Sequence, residues 1–260
     1  MNALTSRRRH PAAIVILLLL GLVATGGLYS LLAPKPAQAV AATADDVTAG
    51  KKLFLANCAT CHGLNAEGSK AGPSLAGVGA AAVDFQVGTG RMPLAGPGVQ
   101  ASRSDKVKFT DEQIASLAAY VATLGPGPAV PEGQDTKGGG DIARGNALFK
   151  VNCAMCHNFA GAGGALSRGK YAPSLRDVSG KHIFEAMETG PQSMPVFNNT
   201  NLSSKDKNDI ISYLHALDKN ENPGGMTLGN LGPVSEGMFV WVFGLSLMVA
   251  AAVWLGAKAA

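Results

Sequence analysis

Cys58-Ala59-Thr60-Cys61-His62 and Cys153-Ala154-Met155-Cys156-His157 together contain every cysteine of the chain, and their reading decides the fold. Two thiols three positions apart on one helical turn can add to the two vinyl groups of a single porphyrin. The adjacent His then lies under the ring as proximal iron ligand. The alternatives are a four-thiolate zinc site and a thioredoxin-like dithiol, but neither needs a His directly after the second Cys. Both copies have one, so each is read as a haem c attachment site, with Cys58, Cys61, Cys153 and Cys156 as the linking residues and His62 and His157 as iron ligands.

The motifs sit in a longer repeat. Gly50-Lys51-Lys52-Leu53-Phe54-Leu55-Ala56-Asn57 precedes the first and Gly145-Asn146-Ala147-Leu148-Phe149-Lys150-Val151-Asn152 precedes the second. Two related haem domains are expected, at residues 45–125 and 141–222, joined by a Pro/Gly linker at 126–140. In the first, Thr48 is expected to cap the opening helix, where Gly50 and Phe54 allow close packing. Thr110-Asp111-Glu112-Gln113 reads as a capping box for a closing helix with an apolar face of Ile114, Leu117, Ala118 and Val121. In the second, Ser203 with Asp206 opens a closing helix whose apolar face is Ile210, Ile211, Leu214 and Leu217, and Tyr213 matches Tyr120. Each domain has only about 80 residues, near the size where a polypeptide core alone is marginal, and a buried porphyrin supplies the missing apolar volume.

A six-coordinate iron needs a distal ligand. Met92, in Gly90-Arg91-Met92-Pro93, is the sole Met of the first domain, and Met194, in Gly190-Pro191-Gln192-Ser193-Met194-Pro195, occupies the matching stretch. The following Pro favours an extended Met, and thioether ligation raises the reduction potential. Met187 and His182 are rivals to Met194, whereas Met155, between two haem cysteines, cannot turn back onto the iron. His215 reads as a helix-surface residue and His10 as part of a basic flank. Gly72-Pro73-Ser74-Leu75 and Ala172-Pro173-Ser174-Leu175 match as turns against the proximal His. Ala95 to Lys108 has no counterpart in the second domain; it is a docking loop or a surface insertion, and the second reading is preferred.

Two uncharged apolar runs flank these domains. Arg7, Arg8 and Arg9 precede Ala12 to Leu32, 21 residues, enough to cross a hydrocarbon core of about 30 Å as a helix. A cleaved signal peptide with Ala37-Gln38-Ala39 as its cut site is the alternative, though the run exceeds the roughly 7 to 15 residues of a signal core. Ala33 to Ala44, with Pro34 and Pro36, reads as a stiff linker, and Asn222 to Pro233 as a second one. Met238 to Ala257 is the other span, with Trp241 and Trp254 as interfacial anchors and Lys258 at its end. With both helices retained, the termini are cytoplasmic (residues 1–33 the first anchor, 237–257 the second) and both haem domains are extracytoplasmic. The formal charge of +4 is carried at these flanks: without Arg7, Arg8, Arg9 and Lys258, 18 basic residues face 18 acidic ones. That balance gives no support to nucleic-acid binding.

Opening helix, Cys-x-x-Cys-His, Pro-Ser-Leu turn, Met-Pro loop and closing helix with Tyr resemble the class I cytochrome c domain, over most of residues 45–222. The whole arrangement, all-α with two such domains between an N-terminal and a C-terminal transmembrane helix, resembles the di-haem cytochrome c subunit of actinobacterial cytochrome bcc complexes. That resemblance implies two covalently bound haem c groups, one held by Cys58, Cys61, His62 and Met92, the other by Cys153, Cys156, His157 and Met194. It implies a cytochrome b subunit and a Rieske iron-sulfur subunit as partners, a terminal cytochrome c oxidase as acceptor, and a place in a menaquinol–cytochrome c reductase of the cell membrane. Nothing in the chain looks like a quinol site, so it would not oxidise quinol alone. The alternatives are the di-haem subunit of another membrane oxidase or dehydrogenase and, further off, a di-haem peroxidase, which would need one displaceable distal ligand.

Overall fold

A computed structural model describes residues 11–32, 42–96, 98–131, 133–219 and 233–259. The basic flank with His10, the Ala37-Gln38-Ala39 cut site and nearly all of both proposed outer linkers lie outside the described residues. An N-terminal unit consists, within that description, of one helix, α1 (Pro11–Leu32). Its apolar side chains are exposed all round, and Ala12–Tyr29 is long and apolar enough to cross a membrane. The Thr25 hydroxyl donates to the Gly21 carbonyl at 2.7 Å, which satisfies it within the helix, as an apolar setting demands.

The first haem-type domain is built from α2 (Ala44–Asn57), the single turn α3 (Ala59–His62), α4 (Ala80–Gly88) and α5 (Asp111–Ala122). Thr43, not Thr48, caps α2: its hydroxyl accepts from the Asp46 N–H while the Asp46 carboxylate accepts from the Thr43 N–H. The reciprocal pair needs an acid three residues on, which Thr43 has; Thr48 lies inside the helix, donating to the Ala44 carbonyl. The expected Thr110/Gln113 box does cap α5. Helices α2 and α5 cross at Gly50, where a Cβ would collide with the Ser116 carbonyl. Close approach brings the Phe54 ring to 5.3 Å from that of Tyr120, above a core of Val83, Val87, Ile114, Leu117 and Val121. Burying a ring such as Phe54 contributes about 1.5–3 kcal/mol.

After a short helix, α6 (Gly133–Thr136), the plan repeats with α7 (Ile142–Asn152), the single turn α8 (Ala154–His157), α9 (Gly180–Thr189) and α10 (Ser204–Lys219). Asp141 caps α7 and Ser203 pairs with Asp206 at the start of α10. Helices α7 and α10 cross at Gly145, where a Cβ would collide with the Asp209 carbonyl, and Phe149 lies 5.5 Å from Tyr213. The strands among the described residues are β1 (Gly164–Ala165) and β2 (Tyr171–Ala172), antiparallel with Gly164 opposite Ala172. The Pro/Gly stretch between the domains is tied to both: the Ala81 N–H donates to the Pro128 carbonyl, and the Gly140 N–H to the Ser212 hydroxyl at 2.8 Å. A final helical segment runs through α11 (Pro233–Phe239), a π-helical turn at Val240–Gly244 and α12 (Leu245–Ala259). Ser235–Lys258 within it also meets the length and apolarity of a membrane span, with Trp241 and Trp254 exposed.

Candidate functional site

Each Cys-x-x-Cys-His segment is one tight turn set at an angle to the helix before it. Cys58 breaks α2 at φ −120° and Cys153 breaks α7 at φ −121°, so the two turns leave their helices alike. The break is held by the Cys58 N–H on the Phe54 carbonyl and the Cys153 N–H on the Phe149 carbonyl, both 2.8 Å. Burial, and then the neighbouring Cys156, push the Cys153 thiol up to about 12; burial and Cys61 raise Cys58 in the same direction. Neutral thiols facing an apolar crevice suit addition to a hydrophobic macrocycle better than thiolate ligation of zinc. The four cysteines do not converge either. Among the described residues the one group of metal-ligating side chains that does is Asp84, His182 and Glu185, where Lys181 Nζ already lies 2.6 Å from Asp84 Oδ1.

The histidines are aimed by the turns that follow. His62 Nδ1 lies 2.8 Å from the Pro73 carbonyl and His157 Nδ1 2.9 Å from that of Pro173. A carbonyl can only accept, so Nδ1 carries the proton and donates, leaving the Nε2 lone pair for a metal. The turns are themselves pinned, Leu75 N–H to the Ala66 carbonyl at 2.9 Å and Leu175 N–H to the Gly161 carbonyl at 2.7 Å. Burial, acting against the Pro173 bond, pulls His157 below its ordinary range and so favours the neutral ring a ligand must be.

In the second domain Cys153, Cys156, His157 and Met194 line one cleft, whose walls include Ile183, Phe197, Ile210 and Leu214. This donor set with these walls fits a covalently held haem. The rivals line it too, but Met187 is packed in the core of α9, and His182 is engaged with the first domain, 3.8 Å from Asp84 and edge-on to Phe85 at 6.2 Å. Met194 instead comes from the loop after α9, its N–H on the Pro191 carbonyl at 3.0 Å. In the first domain Met92 packs with Cys58, Leu75 and Val78 against the core, its N–H on the Gln86 carbonyl at 2.9 Å. Met155 is 91% exposed, and His215 is half-buried beside Gly138 rather than on the open helix surface.

The loop of residues 95–108 is more than a surface insertion. Gln100 reaches the second domain, its side-chain amide donating to the Tyr171 carbonyl at 2.8 Å and accepting from the Tyr171 N–H at 2.9 Å. Ala101 is buried, and Arg91, Gln100 and Arg103 line the second domain's cleft. Arg91 stacks on Phe85 at 4.6 Å, and burial followed by the nearby Arg103 charge pulls its guanidinium below the usual range. The sequence held one signal of this, a loop, bearing Arg103, that is present in only one half of the repeat.

Family comparison agrees with the geometry. The cytochrome c family matches residues 47–125, and the family described as cytochrome c oxidase, cbb3-type, subunit III matches residues 140–214. The chain is 46% identical over 252 residues to the cytochrome bc1 complex cytochrome c subunit of Mycobacterium tuberculosis (strain ATCC 25618 / H37Rv), covering 94% of this chain and 90% of the relative. The proteins of the same description from Mycobacterium leprae (45% over 255 residues, 94% and 87%) and Corynebacterium efficiens (43% over 269 residues, 96% and 90%) are similar throughout as well. With two cytochrome c domains, for which covalent haem c is the implied cofactor, the chain belongs to the family of cytochrome bc1 complex cytochrome c subunits, proteins of electron transfer.

Proposed function

We propose that the chain binds two haem c groups and carries electrons from a Rieske iron-sulfur protein of a quinol-oxidising complex to a terminal oxidase. The carrying observation is the convergence of Cys153, Cys156, His157 and Met194 on a single apolar cleft; the first domain repeats the sequence pattern at Cys58, Cys61, His62 and Met92, of which Cys58 and Met92 pack against one core. Bound there, haem c supplies a one-electron couple. The protein's part would be to hold the macrocycle by its thiols, to offer His Nε2 and Met sulfur as iron ligands, and to exclude water with apolar walls. Both haem domains lie on the extracytoplasmic face, the two apolar helices anchor them with both termini cytoplasmic, and the direct partners are a cytochrome b subunit and the Rieske subunit of a menaquinol–cytochrome c reductase.

Haem content of the purified chain is expected at two per polypeptide, and Met92→Leu and Met194→Leu each abolish the weak red-edge sulfur-to-iron band of one haem. Fewer than two covalent haems, or a band surviving in either variant, overturns the corresponding assignment. The match of residues 140–214 to a cbb3-type subunit favours one second reading, a di-haem subunit of another membrane oxidase. Isolating the chain from membranes with its neighbours separates the two: quinol oxidation by the isolate supports the first, its absence alongside oxygen reduction the second.

A further inference from the structure

The cleft holding Cys153, Cys156, His157 and Met194 is apolar over most of its wall, yet two guanidinium groups, Arg91 and Arg103, open onto it. Among the described residues they are its only Lys, Arg, Asp or Glu lining residues, and both come from the first domain. Among the described residues neither takes part in an ion pair. Arg91 is held in place by its stack on Phe85, and the loop bearing Arg103 by the paired hydrogen bonds between Gln100 and Tyr171. Two like charges set side by side over an apolar cavity, with no carboxylate paired to either among the described residues, call for an anion from whatever fills the cavity. Haem is apolar except at its two propionates, which are costly to bury unpaired. Two carboxylates and two guanidinia make the match that planar, forked Arg recognises best.

We propose that Arg91 and Arg103 of the first domain receive the propionates of the haem held in the second, so that the second haem site is complete only when the first domain is docked on it. The proposal rests on the reading that Cys153 and Cys156 carry a haem. It makes the second haem's equilibrium a function of first-domain charge: guanidinium beside the propionates disfavours the more positive ferric state, so losing it shifts the couple toward ferric.

The test uses the full chain in detergent, as wild type, R91Q/R103Q, R91K/R103K and R103Q, with covalent haem counted and both haems titrated with redox mediators. The second haem is assigned as the component whose red-edge band disappears in Met194→Leu. In R91Q/R103Q, with both haems retained, its ferric-to-ferrous ratio at fixed potential is expected to rise about tenfold, a fall of about 59 mV for a one-electron couple. R91K/R103K restores most of that, because the charge is kept. R103Q alone changes an exposed side chain that threatens no core, and it is expected to shift the ratio about threefold in the same direction. An unchanged second-haem ratio in R103Q and the double Gln variant, a larger shift at the first haem than at the second, or no restoration by Lys each overturns the proposal. A wild-type chain without haem on Cys153 and Cys156 brings down the reading beneath it instead.

Discussion

At three matched positions the first domain carries an uncharged side chain, and the second buries an ionisable one. Counting along each closing helix from its cap, Ile114 of α5 corresponds to Lys207 of α10, and Ser116 to Asp209. On the preceding helices, Phe85 of α4 corresponds to Glu185 of α9. Lys207, Asp209 and Glu185 are all 0% exposed. Lys207 is paired with Glu188 and bonded to Asn199 at 2.9 Å, and Asp209 accepts from the Asp141 N–H at 2.8 Å, Arg144 at 3.0 Å and Lys205 at 2.9 Å. The invariants between the halves are the Gly at the helix crossing, the Phe and Tyr rings, the His and its Pro carbonyl. Together with the cysteines and the Met of each half, those positions are what a haem crevice asks of the chain; elsewhere Lys207 and Asp209 are buried where the fold brings each a partner.

The largest effect tests whether haem is what the two halves share as a core. Replacing all four cysteines with Ala is expected to abolish the cooperative calorimetric transition of the haem domains, and replacing only Cys58 and Cys61, or only Cys153 and Cys156, to remove one domain's transition. A cooperative melt in the four-cysteine variant would break the comparison at its root. Next, exchanging the two cores' residues should be asymmetric. Ile114→Lys buries a charge with no partner and is expected to cost about 3–5 kcal/mol in urea denaturation followed at the haem, whereas Lys207→Ile should cost far less. A Lys207→Ile penalty as large as that of Ile114→Lys would mean that removing the Lys207–Glu188 pair costs as much as burying an unpaired charge.

Glu185 provides a pH test. Burial first, and then the Asp84 charge across the domain boundary, push its carboxyl up to about 9 from an ordinary 4.5, against the opposing pull of Lys181. Between those values the unfolded chain releases a proton that the folded chain keeps, so folding stability falls as pH rises through that window. Glu185→Gln should therefore flatten the profile and gain most at pH near 9, read by denaturant midpoints across the range; an unchanged slope would show that the carboxyl is ionised in the fold. The smallest effect compares caps. Thr110→Ala at α5 and Asp141→Ala at α7 should each lower stability by about 1 kcal/mol, with a clearly larger loss at Asp141 meaning that its neighbour Asp209 is coupled to it.

Features set by near neighbours in sequence were legible before any coordinates: the attachment motifs, Gly50 and Phe54, the Thr110 and Ser203 caps, the periodic face of Ile210, Ile211 and Leu214. Thr48 reads as a cap because it precedes the apolar run, and the carboxylate of Asp46, which singles out Thr43, carries no weight in that reading. The burial of Lys207 and Asp209 has no local signature, since Glu188, Asn199 and Arg144, which partner them, come from other elements. The reach of Gln100 to Tyr171 spans 71 positions and has no local signature. Nor could spacing reveal that the charges on the second cleft belong to the first domain.

The glycines at the two helix crossings carry a quieter lesson. Gly50 and Gly145 hold nothing and touch no metal, yet the helix that each one seats runs straight into the turn bearing the cysteines. The alignment of an electron carrier is thus set two turns upstream by the absence of an atom, and one extra methyl there would tilt the whole mount without altering a single ligand.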